Sequence, residues 1–219
     1  MVAYLLGAVP FGFLVARARG IDIRSVGSGN IGATNVLRSV GKSWGILALV
    51  LDALKGLIPA AVFPVLAQQI PFLGFGETSA PIVSVACGCA AVIGHNYPVY
   101  LKFKGGKGVA TTAGALIGIA PLALLCGLVT FALFFGLSRM VALGSIAAAV
   151  VIPVAAWLLY ADQGQLIPIV LTVLGVLAIW RHRPNIKRIL TGTENRIVFG
   201  KSKTDKSRRS EAKTEETES

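Results

Sequence analysis

Apolar residues fall in long runs along this chain, and polar residues gather in the stretches between them. Seven runs are legible: Met1–Ala16, Trp44–Ala67, Ser79–Ile93, Val109–Ile119, Pro121–Leu137, Val141–Leu159 and Leu166–Trp180. Uninterrupted apolar runs of about 18 residues or more form transmembrane helices, because a hydrocarbon core about 30 Å thick takes about 20 residues of helix. The pattern predicts an all-α integral membrane protein of seven transmembrane helices. The first run contains Pro10 and is short for a full span, which suits a thinned bilayer or further residues upstream. Its basic residues, Arg17 and Arg19, follow the apolar stretch, whereas a cleaved signal peptide carries its charge before it. The second run is interrupted by Asp52 and Lys55, three apart on one helix face and able to pair with each other. The fourth contains Gly114-x-x-x-Gly118, a spacing that lets membrane helices approach closely. Pro71–Gly76 reads as a turn.

Basic residues fix the expected orientation. With seven crossings, the polar segments after the first and third runs, the turn at Ser138–Arg139 and the segment after the seventh run share one side. The opposite connections, Gln68–Thr78, Ile119–Pro121 and Asp162–Gln165, contain no Lys or Arg, and Lys55 is the sole Lys or Arg inside a run. Basic residues accumulate in cytoplasmic loops. The N-terminus is therefore expected outside, with the C-terminus and all the polar segments in the cytoplasm.

Composition agrees. The 219 residues are 54% hydrophobic and 14% charged, with mean hydropathy +0.73. The net charge of +11 would point to nucleic acid in a soluble protein; here it reflects topology, and no nucleic-acid partner is expected. Cys87, Cys89 and Cys126 lie inside apolar runs without a CxxC pair or a histidine cluster, so free buried thiols are expected and no metal site or cofactor. Residues 1–200 read as one membrane domain. Residues 201–219 alternate charge with Ser and Thr and read as a disordered tail.

Three polar segments carry the candidate chemistry: Gly27–Arg38 (GSGNIGATNVLR), Gly94–Thr112 (GHNYPVYLKFKGGKGVATT) and Arg181–Arg196 (RHRPNIKRILTGTENR). The first matches GxGxxG, but a dinucleotide fold needs that motif between a strand and a helix, and no alternating strands occur. What remains is an anion nest of backbone N–H groups, with Ser28, Gly29, Asn30, Thr34 and Asn35 around it and the Arg38 fork beside it. In the second, Gly105-Gly106-Lys107-Gly108 resembles the end of a P-loop, yet Gly108 replaces the hydroxyl that would hold magnesium. Lys107, flanked by glycines, is the lysine expected to face a ligand, while Lys102 and Lys104 also serve topology. His95 stands at the edge of a span. In the third, Pro184 and Gly192 break the helix around His182, Asn185, Glu194 and Arg196. Lipid head groups explain Arg181, Arg183, Lys187 and Arg188 but not His182, Asn185 and Glu194. Glu194 is expected to tie Arg38, Arg196 or a lysine in place.

Together with LDALKG at Leu51–Gly56, these motifs resemble the membrane acyl-phosphate:glycerol-3-phosphate acyltransferases, the PlsY family, from about Ala3 to Arg196. The resemblance implies a seven-helix enzyme of the bacterial inner membrane with a cytoplasm-facing site. It implies transfer of a fatty acyl group from acyl phosphate to the 1-hydroxyl of sn-glycerol 3-phosphate, releasing inorganic phosphate, an early step of phospholipid synthesis. Acyl-CoA and acyl carrier protein are then not donors, and no obligatory protein partner is evident beyond membrane lipids. By the family pattern, Ser28, Arg38 and Lys107 hold glycerol phosphate or take part in transfer. Gly29, Asn30, Thr34, Asn35 and the segment from Lys104 through Gly105, Gly106 and Gly108 match phosphate-contact positions. His182 and Asn185 match essential positions, and Glu194 matches one important for integrity; His95 and Arg196 stand near the site as structural residues.

The chemistry suits such residues. Two phosphates call for cationic, glycine-lined pockets, and the acyl chain calls for a groove open to lipid. An activated acyl phosphate needs alignment and charge stabilisation rather than a covalent nucleophile. The proton can go to His182 or to a substrate phosphate oxygen; the substrate-assisted route is favoured, with His182 positioning the acceptor. The competing class is an organic-anion or phosphate transporter. Against it stand polar residues gathered at one side rather than the midplane, and no visible inverted repeat.

Overall fold

The computed structural model describes residues 1–70 and 79–197, and the turn expected at Pro71–Gly76 and the tail at 201–219 lie outside the described residues. Among the described residues the secondary structure is entirely helical. In chain order the helices are α1 (Val2–Ala8), α2 (Phe11–Arg17), α3 (Ala33–Ser39), α4 (Lys42–Ala61), α5 (Phe63–Gln68), α6 (Ala80–Asn96), α7 (Val109–Ile119), α8 (Pro121–Ser138), α9 (Val141–Tyr160), α10 (Leu166–Arg181) and α11 (Arg183–Leu190). A short 3-10 turn, Val99–Leu101, follows α6.

Four helical stretches are long and apolar enough to cross a bilayer: Lys42–Gln68, Ala80–Leu101, Pro121–Ser138 and Val141–Gln163. A fifth is obtained if α10 and α11, bent by 56° at their junction, are taken together. The other two apolar units, Val2–Arg17 and Val109–Ile119, are shorter. Proline accounts for two of the breaks. Pro10 separates α1 from α2, and Pro184 sits in the first turn of α11, where its missing N–H costs nothing but the preceding helix cannot run through it. The exposed face of α8 carries Leu122, Leu125, Val129, Leu133 and Leu137, a lipid-facing apolar surface.

The bundle is held by close backbone approach. Helix α4 packs along α7, α8 along α9, α9 along α10, and α1 along α6. Gly114 of α7 is where the GxxxG spacing acts: a Cβ there would lie 1.9 Å from the Ala53 carbonyl oxygen on α4. Small residues of this kind let membrane helices gain dispersion contacts that bulkier side chains would prevent. Larger apolar side chains fill the remaining space in two clusters. One, around Leu116, Ala156 and Leu171, lies between α4, α6, α7, α8, α9 and α10; the other, around Val15, Ile23 and Val36, packs α2 and α3 against α4.

The expected pairing of Asp52 with Lys55 is present, Nζ lying 2.8 Å from Oδ1 with both side chains buried. The three cysteines are free and half-buried.

Gly114→Val should therefore force α4 and α7 apart. Overpacking of this kind costs roughly 1–3 kcal/mol or more, and the thermal midpoint of the detergent-solubilised protein should fall by roughly 5 °C or more. An unchanged midpoint would mean the interface tolerates the added methyls.

Candidate active site

The first polar segment is shaped by one side chain. Asn35, in the first turn of α3, is buried, and its Nδ2 donates to the carbonyls of Ile23, Val26 and Asn30 at 3.0, 3.1 and 2.9 Å. Its Oδ1 accepts from the Ser28 N–H at 3.0 Å. Gly27 adopts φ +59°, and a Cβ there would lie 2.2 Å from Asn35 Oδ1. The loop therefore wraps around the amide, which leaves Asn35 as its anchor and presents Ser28 and Asn30 to the space beyond. Thr34 and Arg38, four residues apart on α3, face that same space. Arg38 Nη2 donates to the Asn195 carbonyl at 3.1 Å, while its Nε is buried without a hydrogen-bond partner.

The second segment folds back onto the helix it leaves. The Gly106 N–H donates to the His95 carbonyl at 3.1 Å. Arg181 holds the loop from the other side, donating from Nη2 to the Gly105 and Gly106 carbonyls at 2.8 and 2.6 Å, with its guanidinium over the Tyr97 ring. Gly108 caps α7 at φ +78°. Lys107 leaves this clamped loop toward the third segment, where its Nζ donates to Asn185 Oδ1. Gly105 and Gly106 thus carry out a packing task against His95, and their carbonyls are taken by Arg181. Lys104 is exposed.

The third segment is the junction of α10 and α11. His182, at the bend, is buried, and its Nδ1 lies 2.7 Å from the Ala178 carbonyl. A carbonyl only accepts, so the proton is on Nδ1 and Nε2 is left as an acceptor. Asn185 Nδ2 donates to Glu194 Oε1 at 2.9 Å, and Arg188 Nε donates to Glu194 Oε2 at 2.8 Å. The partner of Glu194 is therefore Arg188, rather than the expected Arg38, Arg196 or a lysine. Arg196 is exposed. The segment then ends on the α8–α9 turn, the Ile197 N–H donating to the Arg139 carbonyl at 2.8 Å.

These segments meet around one cavity of about 260 Å³. Of the expected residues, Ser28, Asn30, Thr34, Asn35, Arg38, His95, Lys107, Gly108, His182, Asn185 and Glu194 line it; Gly29, Lys104, Gly105, Gly106 and Arg196 do not. Asp52, Ser145 and Arg188 line it as well. Ser145 had no signal in the sequence, being one hydroxyl in an apolar run. Arg188 was legible only as a head-group charge. An apolar groove of about 80 Å³ adjoins the cavity between α7, α8, α9 and α10, and Val109, Ala113, Leu128, Phe131 and Ser145 belong to both.

Burial sets the protonation states. Lys107 is pushed down to about 8 by loss of solvent, opposed by Glu194 and reinforced by Arg188, Arg181 and Arg38. His182, beyond the end of α10, is pushed down to about 4 by burial and then by Lys107. At neutral pH the site holds a neutral imidazole and a lysine that is mostly charged. Glu194 neutralises Arg188, so Arg38 and Lys107 remain as the cations facing the cavity, a donor set suited to phosphate oxygens.

Comparison with known proteins gives a consistent result. A family model described as glycerol-3-phosphate acyltransferase matches residues 1–192. A protein of Geobacter sulfurreducens named glycerol-3-phosphate acyltransferase is 45% identical over 196 residues, 90% of this chain and 94% of that one. One of the same name from Aquifex aeolicus is 43% identical, covering 89% of this chain and 95% of that one. Two crystal structures of PlsY, an integral membrane glycerol 3-phosphate acyltransferase, superpose over 90% of this chain and 92% of theirs. The glycerol 3-phosphate form has a TM-score of 0.79 at 40% identity. The lysophosphatidic acid form has 0.75 at 39%.

The anchoring role of Asn35 predicts a specific defect. Asn35→Asp keeps the size but replaces an amide donor to three carbonyls with a carboxylate, leaving repulsion at a buried site. Trypsin cleavage at the exposed Arg24 should become faster while the bundle stays folded. Unchanged cleavage would remove Asn35 as the anchor of the loop.

Proposed function

The chain belongs to the glycerol-3-phosphate acyltransferase family, and from that premise we propose that its acyl donor is an acyl phosphate and its transfer direct. The observation that carries this reading is the joining of two unlike spaces. A cationic cavity in which Arg38 and Lys107 form no direct ion pair with its carboxylates runs into an apolar groove lined by Leu124, Leu128, Phe131, Ile152 and Leu171. One substrate with a phosphate and a long chain, and a second with a phosphate and a hydroxyl, fit those two spaces together.

In the reaction proposed, the 1-hydroxyl oxygen of sn-glycerol 3-phosphate forms a bond to the acyl carbon. The bond from that carbon to the phosphate oxygen breaks, inorganic phosphate leaves, and the hydroxyl proton passes to a phosphate oxygen. Acyl phosphate is already activated, so orientation and charge stabilisation do most of what is required. Arg38 and Lys107 hold phosphate oxygens, and the Arg38 guanidinium, whose Nε has no hydrogen-bond partner within the protein, has donor capacity left for a ligand. Ser28, Asn30 and Thr34 add hydrogen bonds around the loop. Gly29 lies outside the cavity lining and its N–H is taken by the Val26 carbonyl at 3.0 Å. The Ser28 and Gly32 N–H groups are likewise taken by Asn35 Oδ1 and Asn30 Oδ1, so the expected nest of free N–H groups gives way to a loop closed on itself. His182 accepts from the acceptor hydroxyl through Nε2 and orients it, and Asn185 and Glu194 keep Lys107 in place.

The remaining parts of the reading concern placement. We place seven crossings in a bacterial inner membrane, with the N-terminus outside and the site and C-terminus in the cytoplasm. The absence of Lys and Arg from the opposite connections supports this. Residues 1–200 form the catalytic unit, with 201–219 as a charged tail, and no cofactor, metal or obligatory protein partner is required.

Purified protein given palmitoyl phosphate and glycerol 3-phosphate should release inorganic phosphate only when both are present, with lyso-phosphatidate as product. Uptake into vesicles without turnover would overturn the reading in favour of a transporter. Ser28→Ala, Arg38→Ala and His182→Ala should each cut turnover by at least about 100-fold without loss of folded protein.

The pH dependence separates the roles of His182. A lysine depressed to about 8 is charged below that value and loses its charge above it. The kcat/KM for glycerol 3-phosphate, which reports the free enzyme, should therefore fall as pH rises through about 8. An imidazole depressed to about 4 is neutral at and above pH 6, so any limb between pH 6 and 7 should come from the second ionisation of the substrate phosphate, at about 6, and persist when His182 is replaced. His182→Gln should lower the whole profile and keep its shape. A limb near pH 6.5 that disappears in His182→Gln would make His182 the base.

A further inference from the structure

In the inner wall of the cavity lies a buried polar group that the reaction above does not use. Asp52 and Lys55 on α4 and His95 near the end of α6 are 2%, 1% and 4% exposed. Lys55 Nζ lies 2.8 Å from Asp52 Oδ1 and donates to the Val9 carbonyl at 2.7 Å, at the break that Pro10 makes between α1 and α2. The same Asp52 Oδ1 lies 3.7 Å from His95 Nδ1, an electrostatic contact longer than a hydrogen bond, and Nδ1 has no hydrogen-bond partner. The opposite ring nitrogen, Nε2, lies against Gly106, where a Cβ would come within 2.1 Å of it. The main chain of His95 bears on the same loop, its carbonyl accepting from the Gly106 N–H at 3.1 Å. That carbonyl would also lie 2.2 Å from a Cβ at Gly105.

A buried ion pair is a weak source of stability, since desolvation offsets most of the attraction. Its worth here is better sought in what it orients. The loop at Gly105–Gly106 is pressed from below by the imidazole and gripped from above by Arg181. Lys107 is the next residue along, and its reach to Asn185 depends on where that pair of glycines sits.

We propose that Lys55, Asp52 and His95 are positioning residues for Lys107. Lys55 fixes Asp52, Asp52 orients the His95 ring, the ring sets the position of Gly106, and the glycine loop aims the lysine into the cavity. This rests on Lys107 being a phosphate contact. It adds that the contact is set from inside the bundle, by a chain of groups that begins at the α1–α2 break and ends in the cavity wall, where Asp52 and His95 are part of the lining.

The test is a set of variants assayed with palmitoyl phosphate and glycerol 3-phosphate, with thermal midpoints measured beside the kinetics. His95→Ala and Gly106→Ala should each raise KM for glycerol 3-phosphate by about tenfold, more than they lower kcat, because displacement of about 1 Å can cost that much or more. Combined, they should do no more damage than His95→Ala alone, since the new methyl occupies space vacated by the ring. Multiplied defects in the double variant, or a KM within about twofold of wild type in His95→Ala, would overturn the proposal. Asp52→Asn preserves volume and gives a second route. It leaves Lys55 buried without its counter-ion, so the thermal midpoint should fall. The same KM should rise in the protein that remains folded, whereas a lowered midpoint with unchanged KM would make the group purely structural. Wild-type turnover in the same assay tests the parent reading, so unshifted variants beside an active wild type would fault this inference alone.

Discussion

The hydrogen bond from Lys107 to Asn185 joins the loop after α6 to the segment after α10, and the site depends on it. The lysine is buried enough to be held at about 8, so its charge must be met by something inside the protein. Asn185 meets it with an oxygen and passes the demand to Glu194 through Nδ2, and Glu194 in turn holds Arg188. Each member satisfies the next, which is the condition under which a buried polar network stabilises one arrangement rather than several. Arg38 enters from a different segment through the Asn195 carbonyl, one residue after Glu194. Residues from three distant segments therefore share one short span of chain as their common support.

Such a network needs a bundle that does not shift beneath it. The fold supplies this by packing backbone against backbone, as at Gly114 against Ala53, where no side chain intervenes and sliding would bring main-chain atoms into collision. The bend at His182 has the complementary purpose. A straight continuation of α10 would carry Asn185 onward along its axis, whereas the 56° turn brings α11 across the end of the bundle and over the cavity. The same bend leaves the His182 ring bonded to the last turn of α10, so the imidazole is oriented by the helix that the bend interrupts.

Much of this was legible in the sequence, and what was not has a common cause. Apolar runs located the main helices, because burial in lipid demands contiguous sequence. The Asp52–Lys55 pair was legible because its spacing lies within one helix, where three residues fix the geometry. Polar residues between apolar runs marked Ser28, Arg38, Lys107, His182 and Asn185, and the fold brings these five around one cavity. Partnerships across the bundle were hidden. Glu194 found Arg188 six residues away by way of the turn after α11, and Arg181, read as a head-group charge, grips carbonyls about 75 positions earlier. Asn35 and the glycines at 105–106 were expected to contact phosphate. The amide instead bonds to its own loop, and the glycines make room for His95. In each case the residue type was informative about polarity or size, while the partner depended on tertiary placement.

The electrostatics of the cavity argue for what kind of ligand it can hold. The two carboxylates that line it are already matched, Glu194 by Arg188 and Asp52 by Lys55. Arg38 and Lys107 have only neutral partners, a carbonyl and an amide. A ligand bearing one or two negative charges gives them direct counter-ions, and a neutral one leaves them with Glu194 only as a distant compensating charge, in a medium that solvates cations poorly. A second anion on the same donors would meet repulsion from the first unless its other end were held elsewhere. An apolar groove continuous with the cavity offers that hold to a phosphate with a long hydrocarbon chain, and offers nothing to a second small anion. Charge without a direct counter-ion at one end and apolar walls at the other thus support the proposed pairing of one small phosphate with one lipid-like phosphate.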